Sequence, residues 1–143
     1  CAIVLVTGAG GMFGGVLRES GIGKELSAML ADTGMPVIVA AFVISLALRV
    51  AQGSATVALT TTSALIAPTV AATTGLSQFD LCFIVIAIAS GATALSHVND
   101  SGFWLVSRFL EMDTKTTLKT WTVMETLIGL VGFVLAVIGS LIF

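Results

Sequence analysis

A polar run inside apolar sequence constrains the fold of this chain more than any other feature. Residues 49–56 read Arg-Val-Ala-Gln-Gly-Ser-Ala-Thr and lie between the apolar stretches 36–48 and 64–72. A lipid bilayer offers no partners to polar groups, so such a run must be buried in protein or line an aqueous cavity. Arginine, glutamine and hydroxyl side chains are costly at membrane depth and are usually retained for a site.

The composition supports a membrane setting. The sequence has 143 residues, of which 57% are hydrophobic and 10% charged, whereas soluble domains carry about 25% charged residues. We therefore predict an all-α integral membrane protein. The net charge of −2 gives no reason to expect a nucleic-acid partner. Two cysteines, Cys1 and Cys82, define neither a disulfide framework nor a metal site, and no cofactor is implied.

The first segments predict one membrane helix and a connector. Residues 1–17 are predicted to form a transmembrane helix whose glycines are spaced for close helix packing. Residues 18–34 are more polar and are predicted to form a short amphipathic connector along the interface. Because the chain opens on Cys1 within an apolar run, we expect it to be part of a longer protein.

Residues 36–72 surround the polar run and are predicted to form a re-entrant helical hairpin. The apolar stretch 36–48 has about thirteen residues, whereas a spanning helix needs about 20. The alternative is a pair of short tilted spans with Arg49 and Gln52 in an external loop. The hydroxyl run at residues 60–63 favours the hairpin, because a plain span has no need of it.

A second interruption follows in the predicted transmembrane helix over residues 80–107. The polar sequence of residues 96–102 breaks this helix, and Asp100 or Ser101 can cap the part that resumes. Residues 108–120 form a loop, and residues 121–143 a last transmembrane helix. In that helix Glu125 is expected to reach the interface or to pair with Lys115 or Lys119. Two interrupted segments close together indicate a transporter binding site.

The candidate site consists of polar residues at the two interruptions. Helices that begin after Gly53 and after Asp100 would direct their N-termini into a shared space, which favours an anion. Neutral donors and acceptors suit a polyhydroxylated solute, although each of them can also serve only as a cap or a backbone partner. The candidate substrate-binding residues are Gln52, Gly53, Ser54, Thr56, Ser96, Asn99 and Ser101.

A hydrolase is the enzymatic alternative, because Ser96, His97 and Asp100 are the residue types of a catalytic triad. Triads depend on convergent geometry, and neighbours within one short break do not readily align from serine to imidazole to carboxylate. No G-x-S-x-G sequence is present either. The sequence therefore favours a protein that is not an enzyme.

Three stretches resemble the bacterial gluconate permeases, the gluconate:proton symporter family: residues 8–17, 49–58 and 96–104. The resemblance covers essentially the whole chain and matches the C-terminal third of such a permease. It implies half of an inverted-repeat transporter in the bacterial inner membrane, a multi-pass protein that imports gluconate or a related sugar acid with protons. Some relatives carry D-serine or other small hydroxy acids, which remains the alternative substrate class.

The resemblance also implies the partners. They are gluconate or a similar organic anion, protons, the lipid bilayer and the missing N-terminal part of the same permease, which would supply the other half of the site. A homo-oligomer is compatible with the sequence. The alternative of another class is an accessory membrane subunit that transports nothing, but the costly polar interruptions favour a transporter.

Anion uptake needs a co-transported positive charge, because moving one charge against the membrane potential costs about 2.3 kcal/mol per 100 mV. Asp100 is the predicted proton carrier with His97 as its partner. Burial favours the protonated, neutral form of Asp100, whereas the adjacent helix N-terminus favours the ionised form. Opposed effects of this kind suit a group that binds and releases a proton. Asp100 is alternatively a permanent helix cap.

Overall fold

The computed structural model describes residue 12 and residues 34–143. The helix predicted over residues 1–17 and the connector over 18–34 lie outside the described residues, apart from Met12 and Gly34. In the described part the prediction of an all-α fold is confirmed. Its helices are α1 (Val37–Gln52), α2 (Ala55–Ala72), α3 (Gln78–Thr93), α4 (Ser101–Phe109) and α5 (Thr114–Ile142).

Helices α1 and α2 pack against each other across a connection of two residues, Gly53 and Ser54. Helix α1 ends at Gly53 because this residue is left-handed, with φ +80°, and its N–H donates to the carbonyl of Arg49 at 2.8 Å. Helix α2 begins at once because the Ser54 hydroxyl accepts from the backbone N–H of Val57 at 3.3 Å. The polar run is therefore a sharp turn between two helices.

Helix α3 begins with a reciprocal cap in which the side chains of Ser77 and Asp80 each accept from the other's backbone N–H. It ends at Thr93, so the break begins at Ala94, two residues before the predicted polar sequence. The reason is local, because Leu95 adopts a left-handed backbone with φ +55° and cannot continue the helix. The chain resumes as α4, with Asp100 as the N-cap.

Helix α3 lies between α1, α2 and α5. Very close backbone approaches hold it there: a Cβ atom on Gly91 would lie 2.5 Å from the carbonyl oxygen of Phe42, and one on Gly129 would lie 2.6 Å from that of Ser90. Such contacts between small residues are typical of helix packing in lipid. The buried core of the bundle comprises Ala41, Phe42, Ile66, Ile84, Ala87 and Ile88, and Phe133 of α5 stacks on Phe42.

The helix lengths and the exposed surface agree with a membrane protein. Among the described residues, α2 and α5 are long and apolar enough to cross a membrane, while α1 and α3 are shorter. Large apolar side chains of α5 are exposed, for example Leu127 at 57% and Leu135 at 61%. Contiguous apolar surface of this kind requires lipid or another part of the protein to cover it. Since the length of α2 suits both a span and a hairpin arm, the re-entrant hairpin over 36–72 stays a prediction.

Candidate functional site

The turn between α1 and α2 and the break between α3 and α4 are in direct contact. Gly53 is buried against the backbone of Asn99, and a Cβ atom at this position would lie 2.6 Å from the Asn99 carbonyl carbon. The Asn99 side-chain amide donates to the carbonyl of Val50 at 2.8 Å. The structure therefore brings together two polar interruptions that are well separated in the sequence.

A buried ion pair lies at this contact. Arg49, in the last turn of α1, is 3% exposed, and its Nη2 donates to Oδ2 of Asp100 at 2.5 Å. Its Nη1 donates to the carbonyl of Gly53, while its Nε has no partner among the described residues. A positive charge here also complements the C-terminal end of the helix dipole. The pair joins the turn to the break by charge as well as by packing.

The Asp100 carboxylate accepts three hydrogen bonds. Oδ2 accepts from Arg49 and from the Ser96 hydroxyl, each at 2.5 Å, and Oδ1 accepts from the backbone N–H of Gly102 at 2.9 Å. These donors match an ionised carboxylate. Asp100 is thus both the N-cap of α4 and the counter-ion of Arg49. The residue predicted as a helix cap is therefore also part of the polar cluster.

Ser96 connects the break to the start of α5. The indole N–H of Trp121 donates to the Ser96 hydroxyl at 2.8 Å, and the Thr122 hydroxyl donates to the Ser96 carbonyl at 2.5 Å. Both partners belong to a π-helical turn over Leu118–Thr122. Such turns within α-helices are frequent at functional sites, because they redirect side chains and free backbone groups.

Glu125 lies on α5 next to this cluster. It is partly buried and within electrostatic range of Arg49 and Asp100. The expected pairing with Lys115 or Lys119 is not formed, since Arg49–Asp100 is the ion pair found in residues 34–143. Lys119 lies within the π-helical turn, and Lys115 lies in the short helical segment before it.

The remaining predicted residues have simpler environments. His97 hydrogen-bonds through Nδ1 to the Leu95 carbonyl at 2.9 Å, and its backbone carbonyl accepts from the Asp100 N–H at 2.8 Å, but no hydrogen bond joins the two side chains in the part of the chain described. Ser54 caps α2. Thr56 and Ser101 are exposed, whereas the side-chain nitrogen of Gln52 is buried without a partner among the described residues.

The predicted site residues do not include three side chains of this cluster: Arg49, Trp121 and Thr122. For Arg49 a signal was present, because an arginine in apolar surroundings requires a counter-ion and Asp100 lies in the second polar interruption. Tryptophan at a helix entrance is typical of an interfacial anchor, so the position of Trp121 alone does not indicate a role in the site. No local pattern indicates that its indole reaches Ser96.

A cavity of about 340 Å³ lies at the opposite end of the bundle. It is lined mainly by apolar side chains at the start of α1 and around the start of α3, such as Val37, Leu76 and Ile84. Its one carboxylate, Asp80, is already engaged in the cap of α3. The ion-pair cluster, rather than this cavity, offers the polar chemistry of a site for an anion.

Comparison with known proteins identifies similar sequences. The profile of the family described as GntP family permease matches residues 1–142. The chain is 48% identical to the inner membrane permease YgbN of Escherichia coli K12 over 93% of this chain and 29% of that protein. It is 43% identical to the low-affinity gluconate transporter of the same organism and 38% identical to a gluconate permease of Pseudomonas aeruginosa, in both cases over 99% of this chain and 31% of the relative.

The chain therefore spans about 30% of the length of the relatives it matches. No solved structure matches it.

Proposed function

The chain belongs to the GntP permease family, and from this premise we propose that it forms part of an inner-membrane transporter that takes up gluconate or a related sugar acid with protons. Two of the relatives compared are named for gluconate and one for the inner membrane. The role is transport rather than catalysis. The remaining length of the permease supplies the other half of the site.

The observation that carries this proposal is the buried Arg49–Asp100 pair where the two interruptions meet. A buried ion pair adds little net stability compared with apolar packing, so stability alone does not account for it. Ionisable groups within a membrane protein commonly mark a substrate or proton pathway. This chain's share of the substrate site is proposed to be Gln52, Gly53, Ser54, Thr56, Ser96, Asn99 and Ser101, with Asp100 and His97 in proton coupling.

Uptake of labelled gluconate by the full-length permease tests the function. In cells without their own gluconate transporters, we expect saturable uptake that sugar acids inhibit and that dissipation of the proton gradient abolishes. Stronger inhibition by D-serine or another small hydroxy acid would show that the substrate belongs to that class instead of the sugar acids. No uptake of any of these solutes would favour an accessory subunit and refute the proposal.

Substitution of Asp100 tests the proton coupling. Because an asparagine side chain can still cap α4 but cannot titrate, Asp100→Asn is expected to abolish proton-driven accumulation while exchange of labelled for unlabelled gluconate survives. Asp113→Asn is the matched control, since Asp113 likewise caps a helix, accepting from the Thr116 N–H at 3.0 Å, but lies in an exposed loop. Normal pH-dependent accumulation by Asp100→Asn would refute the coupling role.

Cysteine labelling tests the re-entrant hairpin. In a full-length permease with Cys1 and Cys82 replaced by serine, Thr74→Cys and Glu111→Cys are expected to react with impermeant reagents from opposite sides. Both positions are exposed, and the proposed topology has one membrane crossing between them. Ser54→Cys, in the turn against Asn99, is expected to react poorly from the Glu111 side. Rapid reaction of Ser54→Cys from that side would establish two spans instead.

A further inference from the structure

We propose that Arg49 binds the carboxylate of the substrate, and that substrate and Asp100 alternate as its counter-ion. This inference rests on the proposed function and assigns the anion-binding group of that same site. From the sequence, only neutral groups and helix N-termini were expected in that role. The hydrogen bonds that Arg49 makes, and those that it leaves unmade, support the assignment.

Arg49 has donors to spare although it is buried. A guanidinium carries five N–H groups, and the described partners of Arg49 are the Gly53 carbonyl and one oxygen of Asp100. Its Nε and the side-chain nitrogen of Gln52, one turn further along α1, are buried without acceptors among the described residues. Buried polar groups are normally paired. Two unpaired donors at one helix end call for an acceptor, and an oxyanion bearing hydroxyl groups supplies several.

Asp100 does not bind Arg49 in the strongest hydrogen-bonding geometry available to a carboxylate. It contacts the guanidinium through Oδ2 alone, because Oδ1 accepts from the Gly102 N–H at the start of α4. Carboxylates bind arginine best through two parallel hydrogen bonds. A free carboxylate that uses the Nε edge of Arg49 therefore competes with Asp100, which stays held by Ser96 and Gly102 after it loses the contact.

Charge balance then links substrate to proton. With Arg49 and Asp100 both ionised the pair is neutral, so a bound monoanion would leave one uncompensated negative charge in a buried site, which is costly. A proton taken up by the Asp100 carboxylate restores neutrality. On release, the proton and the substrate depart and Asp100 again neutralises Arg49. One proton per monocarboxylate follows from this exchange.

Other ionisable groups lie near the pair or on the helices packed around it. Glu125 on α5 lies within electrostatic range and adds negative charge, which further opposes an anion without a proton. His97 lies in the same break and bonds to the Leu95 carbonyl. Helix α2 has no ionisable side chain, and Asp80 of α3 lines the cavity at the far end of the bundle.

Reconstituted full-length permease tests the inference in three forms: wild type, Asp100→Asn, and Arg49→Gln combined with Asp100→Asn. Asp100→Asn leaves Arg49 without its anion, so added gluconate is expected to raise its melting temperature more than that of wild type. Its gluconate affinity is expected not to change with pH across neutrality. The double variant is expected to bind gluconate about 10- to 100-fold more weakly than Asp100→Asn in exchange assays. This is the effect of losing a charged hydrogen-bonded contact.

Glucitol, the neutral polyol in which a hydroxymethyl group replaces the carboxylate, is the matched ligand and is expected to protect none of the three forms. If the double variant does not fold, Arg49→Lys combined with Asp100→Asn is the deciding variant. Lysine keeps the positive charge but lacks the planar guanidinium that binds a carboxylate through two hydrogen bonds, so it is expected to weaken gluconate binding. Unchanged gluconate affinity in the deciding variant would show that Arg49 holds the turn and the break together but does not bind the substrate. Absence of sugar-acid uptake by wild type would instead overturn the proposed function and this inference with it.

Discussion

Arg49→Gln alone is expected to destabilise the full-length permease by about 3–5 kcal/mol, because it leaves a buried carboxylate without its counter-ion. Asp100 is 9% exposed and is fixed at the start of α4, so it cannot turn to water without giving up the cap of that helix. The loss should be visible as a lower melting temperature of the detergent-purified protein and as less folded permease in the membrane.

The matched control is the double variant in which Arg49→Gln is combined with Asp100→Asn. It removes both charges while keeping polar side chains of similar size, and we expect it to recover most of the lost stability. The two single variants and the double variant together form a double-mutant cycle, whose coupling energy isolates the pair. Additive effects of the two substitutions would mean that the side chains do not interact in the folded permease.

Gly53→Ala is the second substitution with a large expected effect, about 3 kcal/mol or more. A left-handed backbone costs a residue with a Cβ atom about 1–2 kcal/mol, and Gly53 has φ +80°. The added Cβ would also overlap the backbone of Asn99, a contact that no change of side-chain rotamer relieves. Overpacking of this kind costs about 1–3 kcal/mol more. The alternative response is separation of the turn from the break, which would also disrupt the ion pair.

Gly75→Ala separates the two effects. Gly75 has φ +87°, but nothing lies within 4 Å of a Cβ atom built on it. We therefore expect this variant to lose only about 1–2 kcal/mol of stability, the cost of the left-handed backbone, and to retain the proposed gluconate uptake. Melting temperatures and uptake rates of the two variants give the comparison. Equal losses would show that the close contact with Asn99 contributes nothing.

Much of the local structure follows from the sequence alone. The all-α fold is predicted by the apolar composition, and the two interruptions by polar residues within apolar stretches. Gly53 ends α1, and Ser54 and Asp100 begin the helices that follow them. These features are readable because a helix begins and ends through contacts among residues within about four positions of one another, which the order of residues specifies directly.

The assembly of the site was decided by tertiary structure. Sequence reasoning named Asp100 and Ser96 but did not predict that Arg49 pairs with Asp100, or that Trp121 and Thr122 bind Ser96. Glu125 was expected to reach the interface or to pair with Lys115 or Lys119; in the described residues it forms neither lysine pair and lies within electrostatic range of Arg49 and Asp100.

The pairing of Arg49 with Asp100 depends on how α1, α3 and α5 cross. The crossing depends in turn on close backbone contacts at Gly91 and Gly129 and on the contact of Gly53 with Asn99. A residue's own sequence neighbourhood specifies that a charge is buried and needs a partner. Only the packed helices determine which partner comes within 2.5 Å of it, because that distance depends on contacts between residues far apart in the chain.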